Sequence, residues 1–136
     1  MSRNAKAIII VVAIATVFPL FSFYQKFDLK ASIARGREIY TVQCITCHME
    51  AGEGLEGVYP PLAKSDYLMA DKKRSILQIL HGASGEMKVN GVTYNAEMLP
   101  IDLTDEQVSD VLNYVRNSWG NKGEAVKPEE VKTLRK

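Results

Sequence analysis

Thiol and imidazole are scarce in this chain. Its 136 residues hold two cysteines and two histidines. With no third cysteine, a closed zinc knuckle lacks its ligands, because such sites take four from Cys and His together. No cysteine directly follows the apolar block near the start, which excludes a lipoprotein anchor. Charge of one sign is also lacking. Lys and Arg total 17, Asp and Glu 16, and the formal net charge is +1. Nothing in that balance points to nucleic acid as a partner. The length leaves room for one domain with appendages.

What is present is concentrated. Both cysteines and one of the histidines fall in Cys44-Ile45-Thr46-Cys47-His48. C-x-x-C-H is the spacing of covalent c-type haem attachment. Two thiols on one short turn can each form a thioether to a porphyrin vinyl group, and the adjacent imidazole then lies under the iron as proximal ligand. A bare C-x-x-C also serves as a redox dithiol or as half of a zinc site. A thioredoxin-like motif follows a strand and opens a helix, whereas this one closes a helical stretch. A globular part of about 90 residues is small for its own apolar interior. A porphyrin would supply much of the missing core.

Arg3 and Lys6 precede an uncharged run from Ala7 to Tyr24. At about 1.5 Å per residue, such a run just spans a thin bilayer. Phe21, Phe23 and Tyr24 give it an aromatic edge. We read residues 7–24 as a single retained span, with the basic start in the cytoplasm and the rest across the inner membrane on the periplasmic side. A cleaved signal peptide is the competing reading; Ala13-Ile14-Ala15 has the right residues for cleavage but falls mid-block. Residues 25–30 then form a short polar tether, which makes 1–30 an anchor segment.

The spacing predicts a helix over 31–44, capped by Ser32, with Ile33, Gly36, Tyr40 and Gln43 on one face. Gly36 in mid-helix costs about 1 kcal/mol relative to alanine, and close approach of another helix is a reason to accept it. Residues 50–57 are a Gly-rich acidic loop, followed by Tyr59-Pro60-Pro61-Leu62. Residues 64–69 form one short helix. Asp71 caps a helix that runs to Leu80 and ends at His81-Gly82. Asn90-Gly91 between β-formers marks a hairpin over 87–94. Thr104 with Gln107 opens the last helix as a capping box, with Val108, Val111, Leu112, Val115 and Trp119 in one stripe. Residues 121–136 are a mixed-charge extension, in which Pro128-Glu129-Glu130 starts a helical turn or two.

Taken together, these residues resemble the class I (mitochondrial-type) cytochrome c family, and more narrowly a bacterial membrane-anchored monohaem subgroup carrying Val-Asn-Gly-x-x-Tyr before its distal ligand. The resemblance covers about residues 32–120, within a haem domain of residues 31–120. It implies an all-α class I cytochrome c fold with a small β-hairpin insertion, here preceded by one transmembrane helix. Gly36 and Tyr40 match the first-helix positions that cross the last helix, where Tyr114 matches the packing aromatic. Cys44, Cys47 and His48 match the attachment motif. Pro61 matches the proline whose carbonyl accepts from the proximal histidine, and Leu62 the residue packed on the porphyrin. Met98, with Pro100 two residues on, matches the sixth ligand; Met87 is its rival. His81 has three readings: a second imidazole ligand, a neighbour of a propionate, or a helix-closing cation.

The function implied is one-electron transfer through a single covalent haem c with His48 and Met98 on the metal, and not catalysis. The expected partners are redox proteins: a quinol-oxidising complex on one side and a terminal oxidase or nitrite reductase on the other. A fixed electron-transfer subunit of a larger dehydrogenase or reductase is the second reading. A haem-based ligand sensor is a third, and it would need an output module that the chain does not contain.

Overall fold

A computed structural model describes residues 26–136. The expected span at 7–24, with residues 1–6 before it and Gln25 after it, lies outside the described residues. Among the described residues, no helix is long and apolar enough to cross a membrane. In order they form α1 (Leu29–Gln43), α2 (Ile45–His48), α3 (Asp66–Ala70), α4 (Lys72–His81), β1 (Met87–Val89), β2 (Val92–Tyr94), α5 (Asp105–Val115) and α6 (Pro128–Leu134). The fold is mostly helical with one two-stranded antiparallel sheet, as the pattern predicts.

α1 begins earlier than Ser32. The Asp28 carboxylate accepts from the backbone N–H groups of Lys30 and Ala31 at 2.9 and 3.1 Å, so aspartate takes the capping role. Ser32 instead faces inward and donates to Asp110 at 2.6 Å. Arg35 clasps the same carboxylate through two nitrogens, at 2.6 and 2.8 Å. That hydrogen bond raises the Arg35 pKa. Asp110 is 3% exposed and would be costly to bury alone; two donors from α1 make it tolerable.

This polar clasp lies beside the main helix crossing. A Cβ on Gly36 would fall 1.9 Å from the Asp110 carbonyl oxygen, so only glycine lets α1 and α5 approach this closely. One turn on, Tyr40 and Tyr114 stack at 5.4 Å between centroids. Tyr114 is thus the α5 aromatic packed on the first helix. Trp119 lies past the end of α5, with φ +53°, and not on its stripe. It nevertheless joins the cluster, 5.1 Å from Tyr40 and 5.3 Å from Tyr114. Gln43, expected on the inner face of α1, is exposed.

The core holds Tyr40, Leu68, Ile76, Ile79, Val108, Val111, Leu112 and Val115. It also holds Val126 and Val131 from the C-terminal extension, both 0% exposed. The extension is therefore packed on the domain. Asn113 in α5 secures it: its side-chain oxygen accepts from Val126 N–H at 2.7 Å, and its amide donates to Val126 O at 2.8 Å. α6 is further tied by Lys72–Glu130 and Arg135–Asp105, each at 2.6 Å. Arg135 also donates to Leu103 O. Arg116, 4% exposed, donates to Leu68 O at 2.6 Å, near the C-terminal end of α3. Burial pushes its pKa down.

Candidate haem site

The site starts where α1 stops. Cys44 N–H reaches back to Tyr40 O at 2.9 Å, and the Cys44 carbonyl then accepts from His48 N–H at 2.9 Å. The C-x-x-C-H run is thereby wound into the single turn α2. Residues three and four apart share a helix face, so Cys44 comes to the same side as Cys47 and His48. The two cysteines are not joined in a disulfide. Burial, with the neighbouring Cys47 adding to it, pushes the Cys44 thiol up to about 11.

Met49 leaves the turn at φ +62°. Its carbonyl accepts from the Tyr40 hydroxyl at 2.6 Å. Burial holds the Tyr40 phenol well above its ordinary range, which keeps it a donor. Next to it, a Cβ on Gly52 would fall 2.5 Å from the Trp119 ring. The Tyr40–Tyr114–Trp119 cluster is thus the wall against which the loop after the motif is laid.

His48 Nδ1 lies 3.0 Å from the carbonyl oxygen of Pro60. A carbonyl only accepts, so Nδ1 carries the proton and Nε2 keeps its lone pair for a metal. Burial lowers the His48 pKa, opposed in part by this bond. The acceptor corrects the resemblance, which assigned it to Pro61. The reason is the tie one step along: Leu62 and Ala63 N–H both donate to Gly52 O, at 2.7 and 2.8 Å. That tie fixes the chain from Leu62 onward, and it is Pro60 that faces the ring. Gly54 backs this carbonyl. With φ +63°, its missing Cβ would fall 2.8 Å from Pro60 O and 2.3 Å from Tyr59 O. Leu62 is half-buried against the core.

Met98 comes from a different part of the chain. It exchanges both backbone hydrogen bonds with Ala83, at 2.8 and 2.9 Å, in an isolated antiparallel bridge. Three residues on, Ile101 N–H donates to Ile79 O at 3.0 Å. Gly82 ends α4 with φ +80°, and a Cβ there would fall 2.5 Å from Met98 O. Met98 is half-buried and packs against the core, as does Met69 on α3. Met87 sits within β1. His81 is the last residue of α4 and is exposed.

These residues fit a porphyrin. Ile45, Leu62, Met69, Leu80, Met98 and Ile101 reach the core from five separate segments, yet each stays partly uncovered. A flat apolar group would cover them, and His48 keeps one ring nitrogen for its metal. Sequence reasoning missed Pro60, the Tyr40–Met49 bond, Gly54 and the Ala83 bridge. The glycines of the 50–57 loop were visible, but only as loop formers.

Residues 33–119 match the family described as Cytochrome c. The chain is 37% identical over 126 residues to a "Cytochrome c-552" of Thermus thermophilus, covering 85% of this chain and 84% of that protein. A second Thermus thermophilus cytochrome c-552 is 39% identical over 112 residues, 75% of this chain and 85% of the other. The cytochrome c subunit of a quinone alcohol dehydrogenase from Gluconacetobacter polyoxogenes is 31% identical over 91 residues. That stretch is 64% of this chain and 19% of the subunit.

Proposed function

From the premise that the chain belongs to the cytochrome c family, we propose how its own residues hold the haem and where the protein works. As a class I member it is a one-electron carrier with one covalent c-type haem, and is not itself an enzyme. When bound, the haem supplies a single-electron ferrous–ferric couple.

In the proposed assignment, Cys44 and Cys47 provide the two thioether sulfurs. His48 would provide Nε2 to the iron while its Nδ1–H donates to Pro60 O. That hydrogen bond fixes the ring and strengthens its donation. Met98 provides the sixth ligand. A thioether is soft and would favour the reduced metal, and with His48 and Met98 both holding the iron no position would be left for a substrate. Leu62 packs beside the ring. The observation that carries this reading is the 3.0 Å contact between His48 Nδ1 and Pro60 O, which leaves Nε2 as the nitrogen available to a metal.

The place of work follows from residues 7–24, read as a retained span that holds the domain at the periplasmic face of the inner membrane. Its partners would be redox proteins: a quinol-oxidising complex, a terminal oxidase or a nitrite reductase. The reading as a fixed subunit also has support, because the dehydrogenase relatives include a gluconate 2-dehydrogenase cytochrome c subunit from Pantoea cypripedii, 30% identical over 105 residues.

Purification from native membranes in mild detergent tests both parts. Intact mass should equal the uncleaved polypeptide plus one haem, and the ferric spectrum should carry the weak near-infrared thioether band. A mass without haem, or an unchanged spectrum in Met98→Ala, overturns the ligand assignment. A stable co-purifying dehydrogenase would favour the subunit reading over the free carrier.

A further inference from the structure

The hairpin and the methionine bridge obey one register. β1 and β2 pair Met87 with Tyr94, Lys88 with Thr93 and Val89 with Val92 around Asn90-Gly91. Counting outward from Met87 and Tyr94, three residues on each side, 84–86 and 95–97, lead to Ala83 and Met98. Ala83–Met98 is therefore the pair that an unbroken ladder would form, although the rungs between are not bonded. The bond type agrees as well. A two-residue turn closes on a hydrogen-bonded pair, and such pairs recur at every second rung. Ala83 and Met98 are on that count, and they exchange both bonds.

The side chains keep the same count. From Val92 to Leu99, inward and exposed residues alternate without a break: Val92, Tyr94, Ala96 and Met98 are covered, while Thr93, Asn95, Glu97 and Leu99 are exposed. A shift of one residue would turn Met98 outward and present Glu97 or Leu99 in its place. The tip that sets this count is itself fixed. Asn90 and Gly91 have φ +49° and +85°, as a type I′ turn requires. Asn90 exchanges two hydrogen bonds with Asp66 at the start of α3: its side-chain oxygen accepts from Asp66 N–H at 3.0 Å, and its own N–H donates to the Asp66 carboxylate at 2.8 Å.

We propose that the hairpin is the register device that aims Met98, with Asp66 and Asn90 as positioning residues acting on the sixth ligand from its far end. This rests on Met98 being that ligand. Moving the tip relative to α3 moves the whole 83–98 frame, so Asp66 influences the iron without touching it.

The test uses the full haem-loaded chain. One glycine is inserted between Asn90 and Gly91. Asp66→Ala removes the carboxylate half of the anchor, the bond from Asn90 N–H, and leaves the turn intact. Asp28→Ala serves as a control that loses the α1 cap, away from both the hairpin and the extension, and Met98→Ala as a check on the ligand itself. The readouts are the near-infrared thioether band and the affinity of ferric protein for imidazole, which competes with the sixth ligand. The insertion should abolish the band while haem stays attached by mass. Asp66→Ala should tighten imidazole about fivefold to tenfold, the yield of roughly one hydrogen bond, and Asp28→Ala should leave it unchanged. If Asp28→Ala tightens imidazole as much as Asp66→Ala, the effect is general softening and the proposal fails. It also fails if the insertion keeps the band. If Met98→Ala keeps the band, the ligand reading fails first and separately.

Discussion

The two sides of the haem site are held in opposite ways. On the proximal side the ligand's own side chain is tied: His48 Nδ1 is bonded to Pro60 O. The loop behind it is closed locally, within residues 48–63, by bonds to Gly52 O and His48 O. On the distal side only the backbone of Met98 is tied, to Ala83, and the frame reaches through the hairpin to α3. The difference teaches an order of failure. A ligand gripped at its ring, beside its covalent attachment, persists when the fold is stressed. A thioether held only by the strand that carries it lets go first.

The sharpest break in that comparison is to remove the attachment. Cys44→Ser with Cys47→Ser should give a chain whose intact mass shows no haem. Its helical circular dichroism should largely collapse, because the partly uncovered residues around the site lose the group that completes the core. The loss should exceed about 4 kcal/mol, the linkage expected of a tightly held ligand. Met98→Ala should do far less to the fold. Haem should stay attached, the near-infrared band vanish and the reduction potential fall, since a ligand that favours ferrous iron is gone. Equal collapse in both variants would contradict the asymmetry.

Gly54→Ala attacks the proximal side without touching a ligand. At φ +63° a side chain is strained, and here it also displaces the Pro60 carbonyl. Stability should drop by about 2 kcal/mol in denaturant titration. The potential should rise as His48 loses the bond that strengthens its donation. Gly57→Ala is the companion, since that glycine has φ +75° but nothing within 4 Å. It should share the strain and leave the potential alone.

How much of this could be read beforehand divides along the same line. Short-range chemistry was legible: the attachment motif, the Asn90-Gly91 turn, the Asp71 cap and the Thr104–Gln107 box all lie where their spacing put them. Gly36 and Tyr114 were legible through the need for a close helix crossing. Pro60 was not distinguishable from Pro61, because the choice depends on which of two adjacent carbonyls faces a ring 12 residues away. Ser32 looked like a cap because serine caps helices, but a buried carboxylate on α5 drew it inward. The extension looked merely solvated because its charges outnumber its two decisive valines, and Asn113 gave no local sign of its role as a clamp.

That clamp matters most to the distal side. Arg135 holds Leu103 O, just past the methionine segment, while Lys72–Glu130 holds the start of α4, whose far end carries Ile79 and leads through Gly82 into Ala83. Val131→Ala should cost about 2 kcal/mol, the usual range for emptying a buried site of two methyl groups, as read by thermal or denaturant melting. Ferric imidazole affinity should rise before any change in the proximal hydrogen bond, which ring-proton NMR of His48 would follow.

The smallest effect is the one tuned by pH. Burial alone would raise the Glu130 pKa, but the hydrogen bond from Lys72, with Lys127 adding to it, prevails and leaves it below its ordinary value. A carboxylate with a depressed folded-state pKa stabilises the fold fully above its unfolded value, and that contribution disappears as pH falls through the folded one. The pair is partly exposed, so its worth is screened and small. Glu130→Gln should therefore be slightly less stable than the parent at neutral pH, with the gap closing in acid below the ordinary glutamate range. In the parent over that same range, the thioether band should weaken while His48 remains bound. Simultaneous loss of both ligands, with Glu130→Gln indistinguishable from the parent at every pH, would remove the clamp from the account of why the distal side yields first.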